Sequence, residues 1–270
     1  MDELVNRILQ AASGILLVIH IIIEIMTLKH VQKTYEDYGK IDPLYAVLSR
    51  KHGKDNKWDS DEFFATGREE ISEALQYLGD LGLEFPRSRA LDFGCGAGRL
   101  TQALANGFKE VVGVDISYSM VDCAKSYNQH GDRCRFVVNT SDDLALFDDS
   151  SFDFVYSNRT LQHIPPEAIT RYIAEFFRIM RPGGVALFQV PSGKRHDPGT
   201  FSAWLYGLRR GTLKRFSKRL RGKLPVELHY VNQGIIENII RDNGGRLIEA
   251  RQHGSSHSWR VSVFYTAMRE

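Results

Sequence analysis

The chain has 270 residues and a formal net charge of +2, from 35 basic and 33 acidic side chains. Its 43% hydrophobic content can fill an ordinary globular core, as one large domain or one domain with an appendage. Cys95, Cys123 and Cys134 lack metal-ligand or redox spacing, which argues against a thiolate metal centre and points to a reducing compartment.

Residues 1–29 form an apolar N-terminal segment. Within it, Ile8 to Leu28 is interrupted mainly by Gln10, Ser13, His20 and Glu24. That is the length of a bilayer span, about 20 residues. Glu24 would cost a spanning helix about 3 kcal/mol, and Asp2 and Glu3 do not suit a signal peptide. Three readings stand. The segment is a monotopic anchor, or a helix packed on the domain or a partner chain, or an extension (residues 1–25) upstream of a start at Met26. Residues 30–84 read as a helical approach. Ser60 or Asp61 is placed to cap a helix whose apolar positions Ile71, Ala74, Leu75, Leu78 and Leu81 keep a helical period, ended by Phe85-Pro86.

The most informative stretch is Ala90-Leu91-Asp92-Phe93-Gly94-Cys95-Gly96-Ala97-Gly98. An apolar strand ends in Asp92, a glycine turn follows, and Arg99 to Asn106 continues as a helix. Strand, glycine turn and helix N-terminus make a nucleotide-binding βα unit. The dinucleotide fingerprint is G-x-G-x-x-G. This turn is G-x-G-x-G, with Arg99 where that last glycine would fall. A second strand, Val111 to Val114, ends in Asp115, whose carboxylate can accept both hydroxyls of a ribose. Arg135 to Asn139 reads as strand three and Ser151 to Ser157 as strand four, followed by Leu161-Gln162-His163-Ile164-Pro165. Glu167 to Met180 is an amphipathic helix stopped at Arg181-Pro182-Gly183-Gly184, and Val185 to Val190 is strand five. Residues 199–224 are an insertion. Eight Lys and Arg between Arg209 and Lys223 interleave there with Leu213, Phe216 and Leu220, as in a basic amphipathic helix. Val231 to Asp242 reads as a helix, Arg246 to Arg251 as strand six and Trp259 to Met268 as strand seven. His253 and His257 lie in a glycine-serine hairpin, and no metal is expected there.

The motifs D-x-G-x-G-x-G, S-F-D-x-V, L-x-H-I-P and R-P-G-G, in this order, resemble the class I S-adenosylmethionine (SAM)-dependent methyltransferases of the small-molecule, type 11-like branch. The resemblance is strong over residues 87–190 and weak over 230–268. It implies an α/β fold: a Rossmann-like, doubly wound seven-stranded sheet with strand seven antiparallel, a helical N-terminal extension and a helical cap insertion. Residues 85–270 would be the catalytic domain. The implied cofactor is SAM, held by Asp92, Gly94, Cys95, Gly96, Gly98, Asp115, Ile116, Met120, Asp142, Asp143 and Asn158. Thr140 stands where the family usually has an Asp at the adenine, so Ser141, Asp142 or Asp143 is expected to substitute.

His163 is the expected general base, because its ordinary pKa suits proton uptake near neutral pH. Gln162 and Arg68 are expected to contact the acceptor. The acceptor would be a small molecule, a sugar or a lipid-linked glycan, methylated on oxygen. The lack of a D/N-P-P-Y/F motif after strand four argues against amino-methylation. The competing reading is a SAM-binding chain without catalysis, acting as a partner or regulator. The basic insertion suits an anionic membrane surface or anionic substrate better than nucleic acid. A cytoplasmic protein is expected, membrane-associated if residues 8–28 are an anchor.

Overall fold

The computed structural model describes residues 27–194, 228–253 and 260–270. Helix α1 (Leu28–Ile41) is capped by the Thr27 side chain, and the short α2 (Pro43–Val47) by Asp42. Helix α3 (Ser60–Asp80) starts one residue earlier than expected. Asp59 is its N-cap, extended in backbone and accepting the Glu62 N–H at 2.9 Å, which leaves Ser60 and Asp61 inside the first turn. There follow β1 (Arg89–Phe93), α4 (Arg99–Leu104), β2 (Glu110–Asp115), α5 (Tyr118–Ser126), β3 (Cys134–Val138) and β4 (Phe152–Ser157). The chain continues as α6 (Pro166–Ile179), β5 (Met180–Lys194), α7 (Gln233–Asp242), β6 (Gly245–His253) and β7 (Arg260–Arg269).

The strands form one sheet in the order β3-β2-β1-β4-β5-β7-β6. β1 pairs in parallel with β2 and β4, β2 with β3, and β4 with β5, while β7 runs antiparallel to both β5 and β6. Parallel strands covered on both faces need apolar side chains on both, and β4 is buried along its whole length. Helices α6 and α7 close one face around Phe176, Phe188 and Tyr265. Helices α3, α4 and α5 close the other around Leu78, Leu104 and Phe154. A third cluster joins Leu44, Leu48, Trp58, Phe63 and Phe64 to Ala97 of the glycine turn, and so fastens the N-terminal helices to it.

The Arg181-Pro182-Gly183-Gly184 stop differs from the expectation. It lies inside β5 as an irregularity, with Gly183 at φ +79° and the register to β4 shifting between Phe152 and Phe154. The apolar segment before Thr27, the basic insertion and His257 lie outside the described residues. Among those described, no helix is long and apolar enough to cross a membrane, and no cluster of His, Cys, Asp or Glu could hold a metal.

Candidate active site

Strand order runs outward from β1 on one side and from β4 on the other. The carboxyl ends at such a reversal leave a crevice, where open α/β sheets bind ligands. A cavity of about 660 Å³ occupies it. Its floor is Phe93 and Gly94 after β1, Val114 to Ile116 after β2, Asn139 after β3 and Asn158 to Thr160 after β4. Its roof is Leu28, Val31 and Tyr35 of α1, with Val47 to Arg50 around the end of α2.

The glycine turn folds as its sequence requires. The Gly94 and Cys95 N–H groups both donate to the Val114 carbonyl, at 2.8 and 3.0 Å. Gly94 and Gly96 have φ +80° and +51°, a region that L side chains rarely adopt. A Cβ on Gly94 would stand 2.1 Å from Thr160, and one on Gly96 2.5 Å from Val47, so the walls close directly onto the turn.

Asp115 lies on the cavity wall. Its carboxylate accepts the Gly96 N–H at 2.9 Å and the Ser117 N–H at 3.0 Å. Burial pushes its pKa up, and these N–H groups only partly offset that. Asp92 is placed differently from the expectation. It is 1% exposed, lies beneath the turn off the cavity wall, and accepts the Thr101 hydroxyl at 2.6 Å with one oxygen. Its other oxygen has no partner, and burial raises its pKa to about 7 against the pull of Thr101 and Arg99.

Several other residues expected at the site lie off the cavity wall. Met120 of α5 is 1% exposed and does not line the cavity. Asp142 pairs with Arg171 at 2.5 Å, and Asp143 accepts the Ala145 N–H; neither lines the cavity. Asn139 takes that end of the cavity. Its amide is tied to the Asp143 carbonyl at 2.6 Å and to the Ser141 N–H at 3.2 Å. Arg68 is exposed on the outer side of α3, off the cavity. Cys95, Gly96 and Gly98 build the turn without lining the cavity. Gly94, Asp115, Ile116, Asn158, Gln162 and His163 do line it.

His163 closes the turn Leu161–His163. Its ring meets the Tyr35 ring edge-on, with centroids 5.7 Å apart. The Gln162 Nε2 donates to the Arg159 carbonyl at 3.0 Å and lies 3.1 Å from His163 Nε2. An amide nitrogen only donates, so with this orientation His163 Nε2 accepts and carries its lone pair toward Gln162. Tyr35 is held neutral, its pKa raised by burial and then by Asp115 and Tyr38.

Behind Asn158 lies a polar knot with no signature in the local sequence. Glu70 of α3 takes Arg99 Nη2 at 2.7 Å, the Asn158 amide at 2.6 Å and the Tyr156 hydroxyl at 3.1 Å. Burial alone would raise the Glu70 pKa, but Arg99 and Asn158 outweigh it and the net shift is downward. Tyr35, Arg50, Asn139, Arg159 and Tyr172 were also missed as lining residues. Leu28, Val31 and Tyr35 at helical spacing were a legible signal for α1. Nothing local marks Glu70, whose partners lie 29 to 88 positions away.

Residues 90–184 match a family model described as a methyltransferase domain. The chain is 34% identical over 143 residues to trans-aconitate 2-methyltransferase of Deinococcus radiodurans, covering 52% of this chain and 51% of that protein. The chain thus spans about half the length of that relative. It is 33% identical over 197 residues to a ubiquinone biosynthesis O-methyltransferase of Xanthomonas oryzae pv. oryzae, covering 68% of this chain and 77% of that one. Magnesium protoporphyrin IX methyltransferase from Synechocystis PCC 6803, solved with bound S-adenosylhomocysteine (SAH), superposes with a TM-score of 0.53 at 21% identity. That match covers 87% of this chain and 98% of that one, a likeness of fold. With its fold, its glycine turn and these relatives in agreement, the chain belongs to the class I SAM-dependent methyltransferase family.

Proposed function

We propose that the chain transfers a methyl group from SAM to an oxygen of a small-molecule acceptor. The observation that carries this reading is Asp115 on the cavity wall, its carboxylate held by the Gly96 and Ser117 N–H groups, in the same cavity that His163 lines. The residues fit the cofactor. Asp115 is a hydroxyl acceptor, Phe93 and Ile116 are apolar walls for a purine, and the turn admits close backbone approach. When bound, SAM supplies a methyl carbon activated by its sulfonium, which leaves to the attacking oxygen as SAH forms.

The chain's own part is placement and proton removal. Orientation of two reactants supplies much of the acceleration in such transfers. His163 Nε2 accepts the acceptor's proton once the acceptor hydroxyl replaces the Gln162 N–H. Glu70 holds Asn158 in place on the floor. Labelled SAM incubated with separated organic-acid, sugar and lipid-glycan extracts tests the reading. Label should enter one fraction and fail to do so with Asp115→Ala. SAH binding without transfer to any fraction would favour the non-catalytic alternative. Residues 8–28 and 209–223 further support association with an anionic membrane surface.

A further inference from the structure

Two cavity-lining arginines make no ion pair with an Asp or Glu among the described residues. Arg50 and Arg159 both line the cavity and both are exposed. Neither has a carboxylate within ion-pair distance among the described residues, and Arg159 acts on Glu70 only from further off. By contrast, Arg99, Arg171, Arg178 and Arg181 are each paired to an Asp or Glu within 2.7 Å. The one acid on the cavity wall, Asp115, is already committed to two backbone N–H groups.

Arg50 is oriented through its side chain and Arg159 through its backbone. The Arg50 guanidinium lies 5.9 Å from the centroid of the Trp58 ring, and Trp58 is itself fixed by its indole N–H on the Leu48 carbonyl at 3.0 Å. Arg159 has φ +62°, a conformation that non-glycine residues keep where their surroundings dictate it. Its N–H donates to Gln189 at 3.0 Å, and Gln189 is 5% exposed and anchored on Ser262. Exposed arginines that line one space and have no carboxylate in close contact are suited to carboxylate recognition.

We propose that Arg50 and Arg159 bind a carboxylate of the acceptor, so that the site selects an anionic small molecule. This rests on the methyltransferase reading above. A carboxylate could also come from the methionine end of SAM. Exposure favours the acceptor, because both arginines are exposed while the cofactor's cradle, Asp115 and the glycine turn, is more deeply buried.

Calorimetry on the full chain separates the two sources. SAH is titrated first into wild type, Arg50→Gln, Arg159→Gln and Arg159→Lys. The SAH-loaded proteins then receive succinate, citrate or trans-aconitate, with trimethyl trans-aconitate as the uncharged control. The proposal expects at least one acid to bind wild type and the ester not to. It expects that affinity to fall about tenfold or more in each Gln variant, with partial recovery in Arg159→Lys and SAH affinity unchanged within about twofold. Failure of all three acids to bind an SAH-loaded wild type overturns it, as do equal affinities in the Gln variants. A comparable loss of SAH affinity overturns it too, assigning the pair to the cofactor. A wild type that does not bind SAH overturns the methyltransferase reading instead.

Discussion

Asp92 and Asp115 end neighbouring strands of one sheet, yet their carboxylates live in different surroundings. Asp92 has one satisfied oxygen and one orphan in the core, and the fold favours its neutral form. That preference is fully present below its ordinary pKa of 3.8 and is lost as pH rises through about 7. Asp92→Asn should therefore gain stability over wild type at pH 8, by on the order of 1–3 kcal/mol, and gain far less at pH 4. Thermal melts at both values check this, and an equal gap at both would refute the buried-carboxyl account. Asp115→Ala should weaken SAH binding by about 1.5–3 kcal/mol, read by calorimetry. Asp115→Asn, which retains an acceptor for the turn, separates ribose contact from collapse of the turn. His163→Ala should lower turnover by about 10²–10⁴ with SAH affinity nearly intact. A variant keeping more than a tenth of wild-type turnover would reduce His163 to a loop residue. The glycines and Asp115 were legible because a backbone turn imposes its residue types locally. That Asp142, Asp143 and Met120 lie off the cavity wall was not legible, because side-chain direction depends on packing partners that lie far away in sequence.

At the scale of elements, α1 is the roof, and Glu36 ties it to α5. Glu36 accepts the Ser119 N–H at 2.9 Å and the Ser117 hydroxyl at 3.0 Å, so a residue of α1 sits at the N-terminus of α5. Burial pushes its pKa up, but the Ser119 N–H, Lys40 and Ser117 outweigh it and hold the carboxyl at about 2. The stabilisation is present above the ordinary value of 4.5 and is lost as pH falls through about 2, so the clamp stays closed throughout the neutral range. Three residues on, Gly39 approaches so closely that a Cβ would stand 2.2 Å from Ser119 Oγ. Alanine ordinarily favours a helix over glycine by about 1 kcal/mol. Gly39→Ala should instead destabilise the closed roof and raise amide exchange in residues 28–41, measured by mass spectrometry. Slower exchange would show that this contact does not hold the roof. This clamp was invisible beforehand, since residues 30–84 showed helical periodicity but not which helix they would meet.

Over the whole molecule, the sheet was readable because each strand carried its own apolar run and its own stop. The exception is the start of β5, where a turn motif became part of the strand once β4 offered it a neighbour. The stretches 8–28 and 209–223 were legible in composition alone, and their joint effect is open to a direct measurement. Each Lys or Arg near anionic lipid adds about 1 kcal/mol. The full chain should therefore float with anionic vesicles in low salt, less in high salt, and less after deletion of residues 1–25. Full-length protein staying at the bottom in low salt would refute the membrane proposal.

The placement of β7 between β5 and β6 also governs how the chain leaves the ribosome. When β6 emerges it has no hydrogen-bonded neighbour, because its only partner in the sheet is made after it. At about 5–20 residues per second, the nascent sheet would hold an unpaired β5 flank and a stranded β6 for on the order of seconds. During synthesis the part reaching from β3 to β5 can assemble first, and the crevice at β1 and β4 can form before the far edge exists. Damage to β7 would then strike late, leaving a shaped pocket on a sheet that cannot finish closing its side.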